Sequence, residues 1–326
     1  VQHHPRPVTG TIVSEYMRHE QCQRRLSFHF LPPDLQPPRR VRADTDLESL
    51  RTEGGLRHEA HVLEHLRRRG ATLTAVEETS GCGSPRSLGT RFEETRERLD
   101  MLCRSMPCEA PTYVVHGVFI VPGLLRHFFQ EELGSTLDGP CGPEHPSGSL
   151  LEQIDGIGIP DLIRASATPT GVVLEVGDIK DSPQPHYSQK WQVAFYALLL
   201  EIVLSSGQGS PSPTRVSDFG FLLTRSNGSR EGSEMHRFAL GPYRTVMPAL
   251  LHNIAEILQK APGKAPWLLQ EHCTACPYFE TCYRQALYEE DIQFIPRMGY
   301  GTLEKMRQLG LNSIEETGRW FEKRIS

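Results

Sequence analysis

Gly171-Val-Val-Leu-Glu-Val-Gly-Asp178-Ile-Lys180 reads as a mostly apolar β-strand, rich in β-branched residues, that turns charged at its C-terminal end. Upstream, Gly156-Ile-Gly-Ile-Pro160 restricts the backbone and leaves Asp161 to open a second apolar run, Leu162-Ile163, with sixteen residues between Asp161 and Asp178. If the two segments pair as neighbouring strands, the two carboxylates converge with Lys180 beside them. Two ionised carboxylates about 5 Å apart repel by roughly 3 kcal/mol at an effective dielectric near 20. A divalent cation removes that repulsion, and Mg²⁺ or Mn²⁺ favours hard oxygen ligands of this kind.

The segments on either side are helical in pattern. After the polar turn Asp181-Ser-Pro-Gln-Pro-His186, residues 189–204 form a run apolar enough for a largely buried helix. Gln192 and Tyr196 stand one turn apart on one face of it, and a buried pair of this kind needs hydrogen-bond partners. Earlier, residues 52–66 read as an amphipathic helix whose stripe is Leu56, Val62 or Leu63, and Leu66. His58 lies one turn from Val62 on the inward side. Glu59, His61 and His65 are expected in solvent.

Cys273-Thr-Ala-Cys276-Pro-Tyr-Phe-Glu-Thr-Cys282 places three of the chain's eight cysteines within ten residues. Three thiolates need a fourth ligand to complete a tetrahedral zinc or a cubane iron–sulfur site. Cys22, expected on a helix-like segment over 14–25, is the best candidate. It would close a loop running almost the length of the chain. A [4Fe–4S] cluster is expected, with zinc the alternative. Cys82, Cys103, Cys108 and Cys141 show no ligand-like spacing.

With 326 residues the chain can bury one sizeable core plus an appendage. A composition of 38% hydrophobic and 23% charged residues is that of an ordinary globular protein, and the start shows no signal-peptide core, so an intracellular protein without membrane attachment is expected. The net charge of −5 excludes a globally basic nucleic-acid coat. It leaves room for a local basic groove, for which Arg24-Arg25, Arg39-Arg40 and Arg67-Arg68-Arg69 are the candidates. Residues 112–121 and 216–224 read as buried strands, 234–240 as an alternating edge strand, 31–41 as a proline-rich connector, and 134–149 and 205–214 as loops. Helices, sheet, long helix and further strands together predict a mixed α/β core.

Ile295-Pro-Arg-Met-Gly299-Tyr-Gly301 and the residues to Glu316 form a separable tail. Gly299 and Gly301 would allow a tight hairpin with backbone N–H groups at a helix start, a natural phosphate site. Ser313 and Glu316 have the spacing of a capping box.

Taken in order, Gly54-x-x-x-His58, Gly158-x-x-Asp161, Asp178-x-Lys180, Gln192-x-x-x-Tyr196 and Cys22 with Cys273, Cys276 and Cys282 resemble the RecB-like branch of the PD-(D/E)XK nucleases. The chain is most similar to the iron–sulfur members of that branch, which include CRISPR adaptation nucleases and bacterial RecB-family nucleases. The resemblance implies a restriction-endonuclease-like α/β core over 10–290, its cluster held by both ends, and a helix–hairpin–helix module over 291–326. It implies that His58, Asp161, Asp178 and the Ile179 carbonyl hold Mg²⁺ or Mn²⁺, and that Lys180 positions or activates water. Gln192 and Tyr196 would support the site, while Gly299, Gly301, Arg24 and Arg25 would contact DNA. The implied activity is hydrolysis of DNA, single-stranded or at ends, in repair, recombination or defence, with a helicase or another repair protein as partner. The alternative is a non-catalytic nucleic-acid-binding scaffold that keeps the fold.

Overall fold

A computed structural model describes residues 7–39, 45–79, 85–105, 111–128, 154–206, 214–226, 233–260 and 265–325. The chain divides into two units, Val1–Gln21 with Asp46–Gln259, and Cys22–Thr45 with Lys260–Ser326. The division therefore falls at Cys22 and Lys260, whereas the expected boundary lay at 290/291. Residues 134–149, Arg40, Cys82, Cys108 and Cys141 lie outside the described residues.

In the first unit, β1 (Val8–Thr9) runs into α1 (Gly10–Arg18), where the Thr9 hydroxyl accepts the Ile12 N–H at 3.2 Å and caps the helix. The next helix, α2 (Gln23–Phe30), belongs to the second unit. The first unit continues with α3 (Thr45–Arg68), β2 (Thr72–Ala75), α4 (Leu88–Ser105), β3 (Thr112–Val115), β4 (Phe119–Val121) and β5 (Gly156–Gly158). It is completed by β6 (Leu162–Thr168), β7 (Gly171–Lys180), α5 (Tyr187–Ser206), β8 (Thr214–Val216), β9 (Phe219–Arg225), β10 (Ser233–Ala239) and α6 (Gly241–Gln259).

The result is an α/β unit with a mixed sheet flanked by helices. Strand order is β10-β9-β7-β6-β3-β2, with β8 pairing β7, and a smaller sheet runs β1-β5-β4. β7 is antiparallel to β6 and parallel to β9, so it sits centrally and is buried on both faces. That placement explains its near-continuous apolar sequence. On one face Val62 of α3 joins Tyr113, Val115, Leu162, Ile179, Phe221 and Leu223 in a single apolar cluster. On the other, α5 packs so closely that a Cβ on Gly220 would lie 2.7 Å from Val193. Gly177 is required for the same kind of reason. It pairs with Phe221 across β7 and β9, and a Cβ there would meet the Phe221 ring at 2.2 Å.

Three strand and helix expectations change. Residues 112–121 are not one strand: β3 and β4 belong to different sheets, because His116 takes a left-handed backbone (φ 55°) and turns the chain. Residues 216–224 likewise split between β8 and β9 at Ser217-Asp218; of the expected loop at 205–214, Ser205 and Ser206 belong to α5, Thr214 belongs to β8, and 207–213 lie outside the described residues. Leu56, expected in the apolar stripe of α3, is 63% exposed, since six residues separate it from Val62 and place it well round the helix from that buried face. β10 does lie at the sheet edge.

The second unit contains α2, short 3₁₀ turns at Glu271–Ala275 and Ile292–Phe294, α7 (Phe279–Tyr288), α8 (Tyr300–Gln308) and α9 (Ile314–Ile325). Its centre is aromatic and apolar: Phe28 meets Tyr278 edge-on at 5.1 Å, and Ala286 and Ile292 are fully buried. Cys22 is not within a helix as expected. Glu20 and Gln21 both have left-handed φ values, 50° and 59°, which end the preceding segment and leave Cys22 as the N-cap of α2. In the tail, Gly299 caps α8 with φ −83° and Gly301 lies inside its first turn, so neither makes the tight bend; Arg297, at φ 65°, takes the left-handed conformation instead. The Ser313–Glu316 capping box is formed, with the Ser313 N–H donating to Glu316 Oε2 at 3.0 Å and the Glu316 N–H to Ser313 Oγ at 3.2 Å. Among the described residues no helix is long and apolar enough to cross a membrane.

Candidate functional site

The register of β6 on β7 builds the first site. Leu162 pairs with Gly177, so the next residue outward, Asp161, stands opposite Asp178. Asp161 Oδ2 accepts the Ile179 N–H at 2.7 Å, and the Asp161 N–H approaches Asp178 Oδ1 at 3.4 Å. Asp178 is 1% exposed and its Oδ2 pairs with the Lys180 ammonium. Alternation along β7 sends Asp178 and Lys180 to one face and Ile179 to the α3 face.

Burial and the neighbouring Asp178 hold the Asp161 carboxyl well above the usual carboxylate range. Burial pulls the Lys180 ammonium down, but Asp178 and Asp161 outweigh it and raise it above its ordinary value. Lys180 is therefore a fixed positive charge in this setting and a poor proton acceptor. Burial also raises the Tyr196 phenol, which stays neutral. Its hydroxyl accepts the Gln192 amide at 2.8 Å, leaving its own proton for another acceptor. Tyr196 packs against α1 at Gly10, where a Cβ would lie 2.3 Å from the ring.

Two residues that sequence reasoning passed over complete the arrangement. Glu59 and His116 offer ligand atoms that lie, with one from Asp161, all within 4.8 Å of one another. Glu59 is thus not the solvated residue expected; its carboxylate bonds the His116 imidazole, which is raised mainly by that hydrogen bond. The His116 N–H donates to the Asp161 carbonyl at 3.1 Å, so the left-handed turn at His116 fixes both backbone and ring beside Asp161. The signals were present: Glu59 falls three and four residues before Val62 and Leu63, and His116-Gly117 interrupts an apolar run. His58 is 8% exposed, and burial lowers its imidazole, with Asp181 opposing and Arg225 and His61 adding to that shift. Its Nε2 has no hydrogen-bond partner among the described residues.

The second site lies wholly in the second unit. Cys22, Cys273, Cys276 and Cys282 are not disulfide-bonded and line one small cavity with Arg25 and Trp267. Burial raises the Cys22 thiol and pushes Cys282 up to about 12. Cys103, on α4, is remote in role and bonds Thr214 at 3.4 Å.

Of the arginines expected on DNA, Arg24 is buried and the others are partly or fully exposed among the described residues. Arg24 is 3% exposed, stacked 4.1 Å over the Trp267 ring and bonded to Gln285, because its side chain runs inward from α2. Arg25 donates to Cys276 Sγ at 3.7 Å. Arg67, Arg68 and Arg69 are exposed at the end of α3. Gly299 and Gly301 have open space around them.

No model of a known protein family matches this chain, and no curated protein matches it.

Proposed function

We propose that the chain is a metal-dependent deoxyribonuclease of the RecB-like PD-(D/E)XK type, carrying an iron–sulfur cluster. The observation that supports it best is the convergence of Asp161 and Asp178 across β6 and β7 with the Lys180 ammonium on Asp178. The mixed sheet flanked by helices is compatible with that fold.

The donors fit a hard divalent ion. Asp161 and Asp178 supply carboxylate oxygens, Glu59 and His116 reach Asp161, and the buried His58 Nε2 lacks a partner. Bound Mg²⁺ or Mn²⁺ would neutralise charge on the scissile phosphate and make water a stronger nucleophile. The remaining work falls to the chain. Lys180, held protonated, would meet the negative charge that builds on phosphorus. The Gln192–Tyr196 pair would hold the Asp178 side of the site in place. Glu59 and His116 would fix the Asp161 carboxylate in its ligating orientation.

Four thiols on one cavity fit a thiolate-bound metal centre.

DNA with single-stranded or free ends is the substrate the resemblance indicates. Incubating the protein with end-labelled single-stranded DNA, duplex DNA and RNA, in Mn²⁺ and in EDTA, tests this. Cleavage of DNA that needs the metal supports the proposal. Binding without cleavage would favour the non-catalytic scaffold.

A further inference from the structure

Arg24 presents a problem that the protein around it does not solve. Its guanidinium is almost completely buried, and its Nε and Nη1 have no hydrogen-bond partner among the described residues. Its remaining contacts are neutral: the Gln285 amide oxygen and the faces of Trp267 and Phe28, at 4.1 and 5.2 Å. Among the described residues no carboxylate forms an ion pair with it. Glu289, which accepts the Gln285 amide at 2.7 Å, attracts the guanidinium without forming an ion pair with it. An uncompensated buried charge is among the costliest features a fold can carry.

The cavity behind the Trp267 and Phe28 rings that Arg24 covers is lined by four sulfurs. Burial lowers the Arg24 guanidinium, and Cys282, Glu289 and Cys22 oppose that. Arg25, the next residue on α2, reaches Cys276 Sγ. Arg25 lines the cysteine cavity itself, and Arg24 stacks on Trp267 and Phe28, two residues of the same lining. As neutral thiols the four cysteines give Arg24 no counter-charge. Four thiolates around an iron–sulfur core carry net negative charge, which grows by one on reduction.

We infer that Arg24 and Arg25 are the counter-charges of an anionic cluster on Cys22, Cys273, Cys276 and Cys282, and that they set its reduction potential by stabilising the reduced form. This rests on the cluster reading above. Net charge, hydrogen bonds to sulfur and burial are the protein's levers on such a potential, and here the first two are joined in one dipeptide. The step concerned is a gain of one electron by the oxidised core, with no bond made or broken in the protein.

The test is a redox titration of the full chain, loaded anaerobically with iron and sulfide and reduced stepwise with dithionite. Midpoints are read from the visible absorbance of wild type, Arg24→Gln, Arg25→Gln and Arg24→Lys, each normalised to iron content. Both glutamine variants are expected to titrate at a more negative potential than wild type, and Arg24→Lys to stay closer to it. If Arg24→Gln fails to fold or load, Arg25→Gln decides alone, since Arg25 lies at the cavity wall. Glutamine variants with full iron content and the wild-type midpoint would overturn the inference while leaving the cluster standing. Wild-type protein that takes up no iron would overturn both.

Discussion

Asp161 and Asp178 are tied to each other through the backbone: the Ile179 N–H holds Asp161 Oδ2 at 2.7 Å, and the Asp161 N–H lies 3.4 Å from Asp178 Oδ1. Each carboxylate is oriented by the strand that carries the other. The pair is therefore pre-set, and its mutual repulsion is built into the fold.

Asp161→Asn should act in opposite directions on stability and on metal response. Asn keeps an oxygen for the Ile179 N–H but carries no charge, so the metal-free variant should melt at or above the wild-type temperature. It should lose most of the rise in melting temperature that Mn²⁺ gives wild type. Scanning fluorimetry in EDTA and in Mn²⁺ reads both effects.

The metal response should depend on pH. Asp161 titrates above its unfolded value of 3.8 because of burial and Asp178, so the folded chain keeps a proton that the unfolded chain releases. Metal-free stability from this group is full below that value and declines as pH rises through the raised one. The Mn²⁺-induced rise in melting temperature should therefore grow as pH rises above 3.8 in wild type. It should be flat in Asp161→Asn.

His116→Asn should weaken the metal without unfolding the chain. Asn accepts the left-handed backbone found at His116 but removes the ring that Glu59 holds. Losing such an orienting group typically lowers metal affinity about 10- to 100-fold. Mn²⁺ titration followed by electron paramagnetic resonance checks this, with circular dichroism to confirm the fold.

Gly177→Ala should destabilise by about 1–3 kcal/mol, the usual penalty for overpacking. The new methyl would fall 2.2 Å from the Phe221 ring, between two central strands. Urea denaturation of the two proteins measures the difference.

Much of this arrangement was legible in the sequence, for identifiable reasons. β7 could be read from end to end, since a strand buried on both faces writes itself as an unbroken apolar run. The spacing of Asp161 and Asp178 followed once that strand was placed. The turn at His116 was not legible, because a left-handed histidine leaves no compositional trace and only Gly117 hints at it. Glu59 was mistaken for solvent because α3 offers His58 and Glu59 side by side, and which one meets Asp161 depends on the tertiary position of His116. Arg24 looked like a DNA contact for a similar reason. Its burial comes from Trp267 and Gln285, more than two hundred residues away along the chain.

Cleavage of end-labelled single-stranded DNA in Mn²⁺ by wild type and by Asp178→Ala tests the two-carboxylate site most directly. Wild type is predicted to cut, and the variant, folded by circular dichroism, to cut at least about 100-fold more slowly. Equal rates for the two proteins, or a wild type that never cuts in any divalent metal, would contradict the account.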